Sequence, residues 1–573
     1  MKAKQNYTAE RFETVKEICR WSAERYFDKT MFLCKCKGMY QPMSYEWFGN
    51  WMNALGTALM EEGFSGRHIL LLGDPTPEWT MTYLTVVSGV GVAVPVESGV
   101  SSKELAAIAA FSDATAVIYP KKQAQTLSAL GGDFLCLSFE ELESRAAKGE
   151  LFLMGGNRSF LDAEPKGEEL CTLSVTRDGK GKYHGVMLSQ RNICFAVFEM
   201  SKTVLLTDGD VVLSAAPVSP VCRIVCGLLA PVYRGAAVAF SQEMGELTRE
   251  MRGVRPTVML ATPVLIQRMY ESLQANVRRL GLEKHVTRRE KIGNLLPFEG
   301  QKREAVRKIL PEVHGIFGGR MRMLISAMAP VEVQAAEGFA RLGISVLQGY
   351  GLTESTCLMA LNRDRACLAD SVGGTLPDTI LDIDDPRNEG VGEVRCQGDH
   401  VMMGYYKEPS LTAKIIRGGW LYTGMIGRID REGDLHLIGR KQDRIVTKKG
   451  DVYPQLIEEL ICKNPFVLSA VVVGYRQKVK DAPRIVAVLC PDQGRMERTW
   501  GRGYSPRTVE LEMQKAVADA NAKLKAYQRV EEHLIHYAEL PRTPSGQPQR
   551  DQIADYAARF CSPKKQKKRL FRF

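Results

Sequence analysis

Short apolar runs of strand length, each followed by a longer helix-like segment, constrain this chain more than any other feature. Residues 69–73, 92–96 and 116–119 read as strands, and 76–90 and 102–111 between them as helices. The pattern returns after Asp210, where the apolar runs 211–215, 236–240 and 258–261 are again separated by segments long enough for helices. Strands apolar on both faces and joined by helical crossovers belong to parallel sheets covered by helices, so the expected class is α/β, with two such subdomains packed together. Residues 274–319 form a polar, charge-rich stretch that reads as a helical insertion, and 373–438 show glycine-bounded alternation that reads as a smaller β-rich subdomain. After Arg440 the pattern changes: helices at 454–462 and 506–526 and strands at 469–475 and 484–489 describe a small α+β domain. The expected organisation is a large N-terminal domain, 1–440, a C-terminal α+β domain, 441–560, and a basic tail, 561–573.

A chain of 573 residues, 45% of them hydrophobic, can bury a large core. Its first residues lack the apolar centre of a secretory signal. No stretch reaches the roughly 20 apolar residues of a membrane span; the longest candidate, 224–233, is too short. The 14 cysteines lie mainly in strand-like runs, which points to reduced thiols and a cytoplasmic location. Neither Cys34 with Cys36 nor Cys222 with Cys226 has a partner pair at zinc-site spacing, so ordinary core or surface cysteines are expected there. The formal charge of +11 suggests nucleic acid, yet six of the basic residues sit in the last ten. That tail reads as a solvated end, with contact to an anionic membrane surface or an acidic partner as the functional alternative. No nucleic-acid motif accompanies it, so no nucleic acid is expected as a partner.

Gln348-Gly-Tyr-Gly-Leu-Thr-Glu-Ser355 follows a strand and places an aromatic ring, a hydroxyl and a carboxylate within five residues. Downstream come Gly404-Tyr-Tyr-Lys407, Gly419-Trp-Leu-Tyr-Thr-Gly424, Ile438-Gly-Arg-Lys-Gln-Asp443 and Pro541-Arg-Thr-Pro-Ser-Gly-Gln547-Pro-Gln-Arg550. In order and spacing these resemble the motifs of the adenylate-forming superfamily, most closely its long-chain fatty acyl-CoA synthetase branch, over roughly residues 10–555. The resemblance implies a two-step reaction. A carboxylate and MgATP give an acyl-adenylate and pyrophosphate, and the thiol of coenzyme A then displaces AMP. It also implies that Gly349, Tyr350 and Gly351 line the nucleotide site with Tyr350 against adenine, that Thr353 meets phosphate, and that Glu354 holds Mg²⁺. Arg440 would bond the ribose. Asp443 would be the hinge of a mobile C-terminal lid domain. The implied substrate is a small carboxylic acid, a fatty acid above all.

Several positions depart from that pattern. The phosphate loop, Ser/Thr/Gly-rich in the family, here runs Thr176-Arg-Asp-Gly179-Lys180-Gly181-Lys182-Tyr-His184-Gly185. Asp178 opposes a triphosphate, while Lys180 and Lys182 supply point charges on a flexible loop. Met425 stands where the family has an aspartate that accepts from ribose hydroxyls, a loss of about 1–3 kcal/mol of nucleotide binding. Gln547 stands where the family has the lysine that bridges carboxylate and phosphate, a loss of roughly 10² to 10³ in rate. Ala327 and Met328 replace small glycines expected beside nucleotide and acyl chain, and Met328 narrows that acyl pocket. The segment Pro217-Val-Ser-Pro-Val-Cys222 lacks the histidine or aromatic residue usual in the family.

Two classes of function follow. One is an acyl-CoA ligase with weak adenylation, compensated by other cations or confined to the thioester half-reaction. The other is a non-catalytic acyl- or nucleotide-binding protein, a regulatory partner of an intact paralogue.

Overall fold

The computed structural model describes residues 6–36, 38–178, 181–214, 218–241, 244–279, 281, 314–326, 331–363, 371–387, 390–476, 482–542 and 548–561. The chain divides into two compact units. Met1–Asp382, Arg395–Thr423 and Ile429–His436 form the first; Ile383–Val394, Gly424–Arg428 and Leu437–Phe573 form the second.

Two sheets organise the first unit. In one, nine strands run in the order Gly374–Thr375, Ala360–Leu361, Ser345–Tyr350, Met323–Ser326, Val258–Ala261, Val211–Ser214, Ala237–Phe240, Thr30–Cys36 and Met39–Ser44. From Ser345–Tyr350 to Thr30–Cys36 every neighbouring pair is parallel. The seven-stranded sheet has a parallel centre, His68–Leu72 between Val92–Val96 and Ala114–Tyr119. One of its edges turns antiparallel through Leu170–Arg177, Tyr183–Ser189 and Gly404–Tyr405. Leu70, Leu71 and Leu72 are fully buried, as strands covered on both faces require.

The helices begin where the sequence caps them. Thr14 with Glu17 starts Val15–Arg25, Ser101 with Glu104 starts Ser102–Ser112, and Ser189 with Asn192 starts Gln190–Thr203. The helix expected at 76–90 is Pro77–Thr85 followed by a π-helical turn, Val86–Val90. The path changes because Gly89 adopts φ 134°, a conformation closed to most side chains. Of the insertion expected at 274–319, the start belongs to the helix Pro263–Arg279, and 282–313 lie outside the described residues.

In the second unit, Val467–Tyr475 pairs antiparallel with Arg484–Pro491, which pairs parallel with Glu532–Ile535. Period-two alternation separates two faces. Val472, Ala487 and Leu489 join Ile457 and Met513, whereas Val471, Val486 and Val488 join Ile553 and Ala557. Helices Pro454–Cys462 and Pro506–Asn521 supply the first set of partners, and Arg550–Phe560 the second. The protein therefore has the expected α/β class, with parallel sheets in a large N-terminal part and a small α+β C-terminal part.

Candidate functional site

Tyr350 ends a parallel strand, and the chain then turns through Gly351 and Leu352 into a short 3-10 turn, Thr353–Ser355. The turn closes on itself: Ser355 Oγ accepts from the Leu352 amide at 2.9 Å. Glycine is required at 351, since a Cβ there would lie 2.0 Å from the Cys357 carbonyl oxygen. Gln348, buried in the same strand, accepts from the Val331 amide at 2.8 Å. Glu354 Oε1 accepts from the Tyr405 hydroxyl at 2.7 Å, tying the turn to the sheet edge at Gly404–Tyr405. Burial, and then the Glu354 carboxylate, push the Tyr405 phenol well above its ordinary range, so it stays a donor. Tyr350 is largely buried and Thr353 half-buried in this loop.

The residues expected to form the phosphate loop lie on a hairpin whose register sets Thr176 opposite His184 and Val175 opposite Gly185. The Gly181 amide donates to the Asp178 carbonyl at 2.9 Å, and the Lys182 amide donates to Asp178 Oδ1 at 2.8 Å. Gly181 itself holds φ 86°. Gly185 is pinned by close packing: a Cβ on it would meet Leu173, Phe111 and Tyr406.

Lys182 and His184 are engaged by one acid. Glu408 pairs through Oε1 with Lys182 Nζ, and its Oε2 lies 2.6 Å from His184 Nδ1. On the other side of the ring, His184 Nε2 is 3.5 Å from Asp178 Oδ2. Burial pulls the Glu408 carboxyl upward, but the hydrogen bonds from Lys182 and His184 outweigh it and hold it below its ordinary value. Arg177 bonds the Gly181 carbonyl at 3.0 Å and Glu104 at 3.2 Å. Each described cation of the hairpin, Arg177 and Lys182, is thus matched by a carboxylate. Gly179 and Lys180 lie outside the described residues.

In the second unit, Asp443 Oδ2 accepts from Gln455 at 2.8 Å and from Arg550 Nε at 3.1 Å. Arg550 also makes two hydrogen bonds to the Glu458 carboxylate, at 2.6 and 2.9 Å, and one to the Val472 carbonyl at 2.9 Å. Desolvation works against its charge, yet the two carboxylates raise its pKa above the ordinary value. Arg440 is exposed three residues before Asp443. Met425 follows Gly424, whose amide donates to Glu393 at 3.0 Å; Lys441 pairs with the same carboxylate. Ala327, Met328 and Gln547 lie outside the described residues.

The structure brings together Thr176, Lys182 and His184 on one hairpin, and Tyr350, Thr353 and Glu354 on one loop. Sequence reading passed over Glu408 and Glu458, and quoted Tyr405 and Arg550 only as members of motifs, without a role. Glu408 directly follows the Gly404–Lys407 motif, and Arg550 closes the motif that begins at Pro541, so membership of a motif or nearness to one was the available signal. Mg²⁺ fits the donors at the first loop: Glu354 is a hard oxygen ligand with one carboxylate oxygen bonded to Tyr405, and such sites take one or two carboxylates together with phosphate.

Residues 19–406 match the family model described as AMP-binding enzyme, and 442–559 match AMP-binding enzyme C-terminal domain. Long-chain-fatty-acid–CoA ligase ACSBG2 of Gallus gallus is 24% identical over 523 residues, covering 81% of this chain and 66% of its own length. Long-chain-fatty-acid–CoA ligase 1 of Homo sapiens is 25% identical over 562 residues, covering 87% of this chain and 78% of its own. The chain thus spans about two thirds to three quarters of these relatives. Among solved structures, the Mycobacterium tuberculosis fatty acyl CoA synthetase superposes with a TM-score of 0.67 at 20% identity, over 96% of this chain and 99% of that one. ATP-bound MatB from Rhodopseudomonas palustris gives 0.73 at 19% identity, over 95% and 99%.

Proposed function

Because the chain belongs to the AMP-binding enzyme family and is long-chain acyl-CoA synthetase-like, we propose that it binds a fatty acid or its adenylate but carries out ATP-dependent adenylation weakly or not at all. The observation that carries this reading is Glu408, which occupies both Lys182 and His184. Adenylation accumulates negative charge on phosphate oxygens, and catalysis of that step is mostly preorganised positive charge. A hairpin whose Arg177 and Lys182 are already paired with Glu104 and Glu408, and which carries Asp178, offers a triphosphate little. Met425 and Gln547 weaken nucleotide binding and the transition state further.

Some features favour retained thioester chemistry. The closed turn beside Tyr350 and the Tyr405–Glu354 bond support a nucleotide site at this loop, where Glu354 would hold Mg²⁺, supplying charge neutralisation when phosphate is bound. Asp443, the proposed hinge, is held by Gln455 and Arg550. Such a protein would use supplied acyl-adenylate and coenzyme A, or serve as a binding partner of an intact paralogue. We retain 1–440 and 441–560 as its domains and the cytoplasm as its location, with the tail as a peripheral membrane contact. No described helix is long and apolar enough to cross a membrane.

Calorimetry with MgATP and with an acyl-adenylate, followed by acyl-CoA formation from a panel of fatty acids, tests the reading. Weak ATP binding, retained adenylate binding and little turnover are expected. Efficient acyl-CoA formation from free acid and ATP would overturn it.

A further inference from the structure

The helical stretch from Pro220 to Tyr233 widens into π-helical geometry at Arg223–Leu229. Such turns recur at functional sites. Cys222 and Cys226, four residues apart, share one side of it. Facing them is Cys357, just beyond the Thr353–Ser355 turn, where Thr356 and Cys357 both adopt left-handed backbone, φ 47° and 70°. Neither residue favours that region, so surrounding contacts hold it. Gly351 lies against the Cys357 carbonyl, and Thr356 Oγ1 donates to the His400 carbonyl at 2.7 Å.

The three Sγ atoms lie within 4.8 Å of one another, with Cys226 and Cys357 at 3.8 Å. Zinc–sulfur bonds of about 2.3 Å place neighbouring thiolates about 3.8 Å apart in a tetrahedral site and about 4.0 Å apart in a trigonal one. The sulfurs therefore stand close to ligand spacing before any ion is bound. Cys222, Cys226 and Cys357 are 7%, 2% and 9% exposed, which sets them apart from surface thiols. Next to Cys222 is the half-buried Arg223, whose guanidinium bonds the Val218 carbonyl at 3.0 Å while its buried Nε has no hydrogen-bond partner among the described residues. Its charge acts on Cys222 as well as on the Glu97 and Asp74 carboxylates. Three thiolates around a divalent cation leave one negative charge, which a neighbouring guanidinium offsets. The spacing of Cys222 and Cys226 did not suggest a metal because the third ligand comes 131 residues after Cys226.

We propose that Cys222, Cys226 and Cys357 bind one zinc-type divalent cation, with its fourth position open to water or another small ligand. Binding replaces three S–H bonds by three metal–sulfur bonds and releases three protons, with no electron transferred. Thiolates select such borderline-soft ions over Mg²⁺. The ion would pin Cys357 and, through Gly351, steady the loop that carries Tyr350 and Glu354. The inference stands whether or not the protein adenylates.

Metal-stripped full-length protein titrated with Zn²⁺, and with Co²⁺ as a coloured probe, tests it. Native mass spectrometry should find one zinc per chain, Co²⁺ should give a thiolate charge-transfer band, and weakly buffered solution should acidify by three protons per zinc. C226S/C357S should weaken binding by at least about 100-fold, while C136S and C462S, at exposed thiols, leave it unchanged. No retained zinc, zinc bound without proton release, or binding undiminished in a folded C226S/C357S variant would each overturn the proposal. The proton count uses unaltered protein and decides the matter even if that variant fails to fold.

Discussion

Glu408 and His184 face each other at 2.6 Å, and the other oxygen of the same carboxylate holds Lys182. One acid from the segment after Tyr405 therefore matches the charge of Lys182 and occupies a ring nitrogen of His184, two groups that a phosphate-binding hairpin would present. Replacing it by glutamine keeps the side-chain size and removes the negative charge that holds both. Partly exposed ion pairs are worth about 0–1 kcal/mol each, so E408Q should tighten MgATP binding by roughly 3- to 10-fold. Calorimetry at low and high salt is the check, and the gain should shrink at high salt. Unchanged affinity would mean that the hairpin does not meet phosphate.

Two buried groups of the first unit should give opposing pH dependences. Burial lowers His400 from 6.5 to about 4, against a smaller opposing effect of Asp399. The unfolded chain then binds the extra proton between those values, so this group's stabilisation is complete above pH 6.5 and is lost as pH falls towards 4. Burial raises Glu199 from 4.5 to about 7. Here the folded state holds the proton, and stabilisation is complete below pH 4.5 and is lost as pH rises through 7. Each contributes on the order of 3 kcal/mol at most. In urea unfolding between pH 4.5 and 7, E199Q should make stability rise more steeply with pH than in the wild type. H400F, stacking on Phe195 in place of the imidazole, should flatten or reverse the rise. Parallel curves for all three proteins would count against both assignments.

Arg550 anchors the second unit through Glu458, Asp443 and the Val472 carbonyl. Removing one member of such a buried pair leaves the other charge uncompensated, a cost of about 3–5 kcal/mol. R550M should therefore lower the unfolding midpoint of the second unit and leave that of the first unchanged. R550K keeps the charge but loses the two-pronged contact with Glu458, and should fall between. Hydrogen exchange on the strand Val467–Tyr475 separates this local loss from a global one.

The architecture was legible because burial on both faces writes itself into composition. Runs such as Val92–Val96 and Val258–Ala261 are apolar throughout and became parallel strands at the residues expected. Helix starts were equally local, since Ser101 and Glu104 satisfy each other three residues apart. Side chains that meet across the chain left no such trace. Glu408 reaches Lys182 over 226 residues, and Cys226 reaches Cys357 over 131. A motif read along the chain placed Lys182 in the phosphate loop but carried no information about the acid that neutralises it. Gly89 shows the intermediate case: its residue type permits a break in the helix, and packing decides where the break falls.

On the proposed reading Met425 and Gln547 affect different terms of one reaction, and kinetics can separate them. M425D restores an acceptor for ribose hydroxyls, a contact made in ground state and transition state alike, and should recover about 1–3 kcal/mol of nucleotide binding. It should therefore lower the KM for ATP with little effect on kcat. Q547K restores a cation needed as charge develops on phosphate, and should raise the adenylation rate by roughly 10² to 10³. That gain belongs in kcat. Pyrophosphate release from ATP and a fatty acid, measured for both variants, for their combination and for the triple variant with E408Q, is the test. Because the hairpin remains neutralised in the first three, the largest rate is expected in the triple variant. If Q547K raises kcat fully without E408Q, Glu408 gives way when phosphate arrives, and the adenylation defect lies at Gln547 alone.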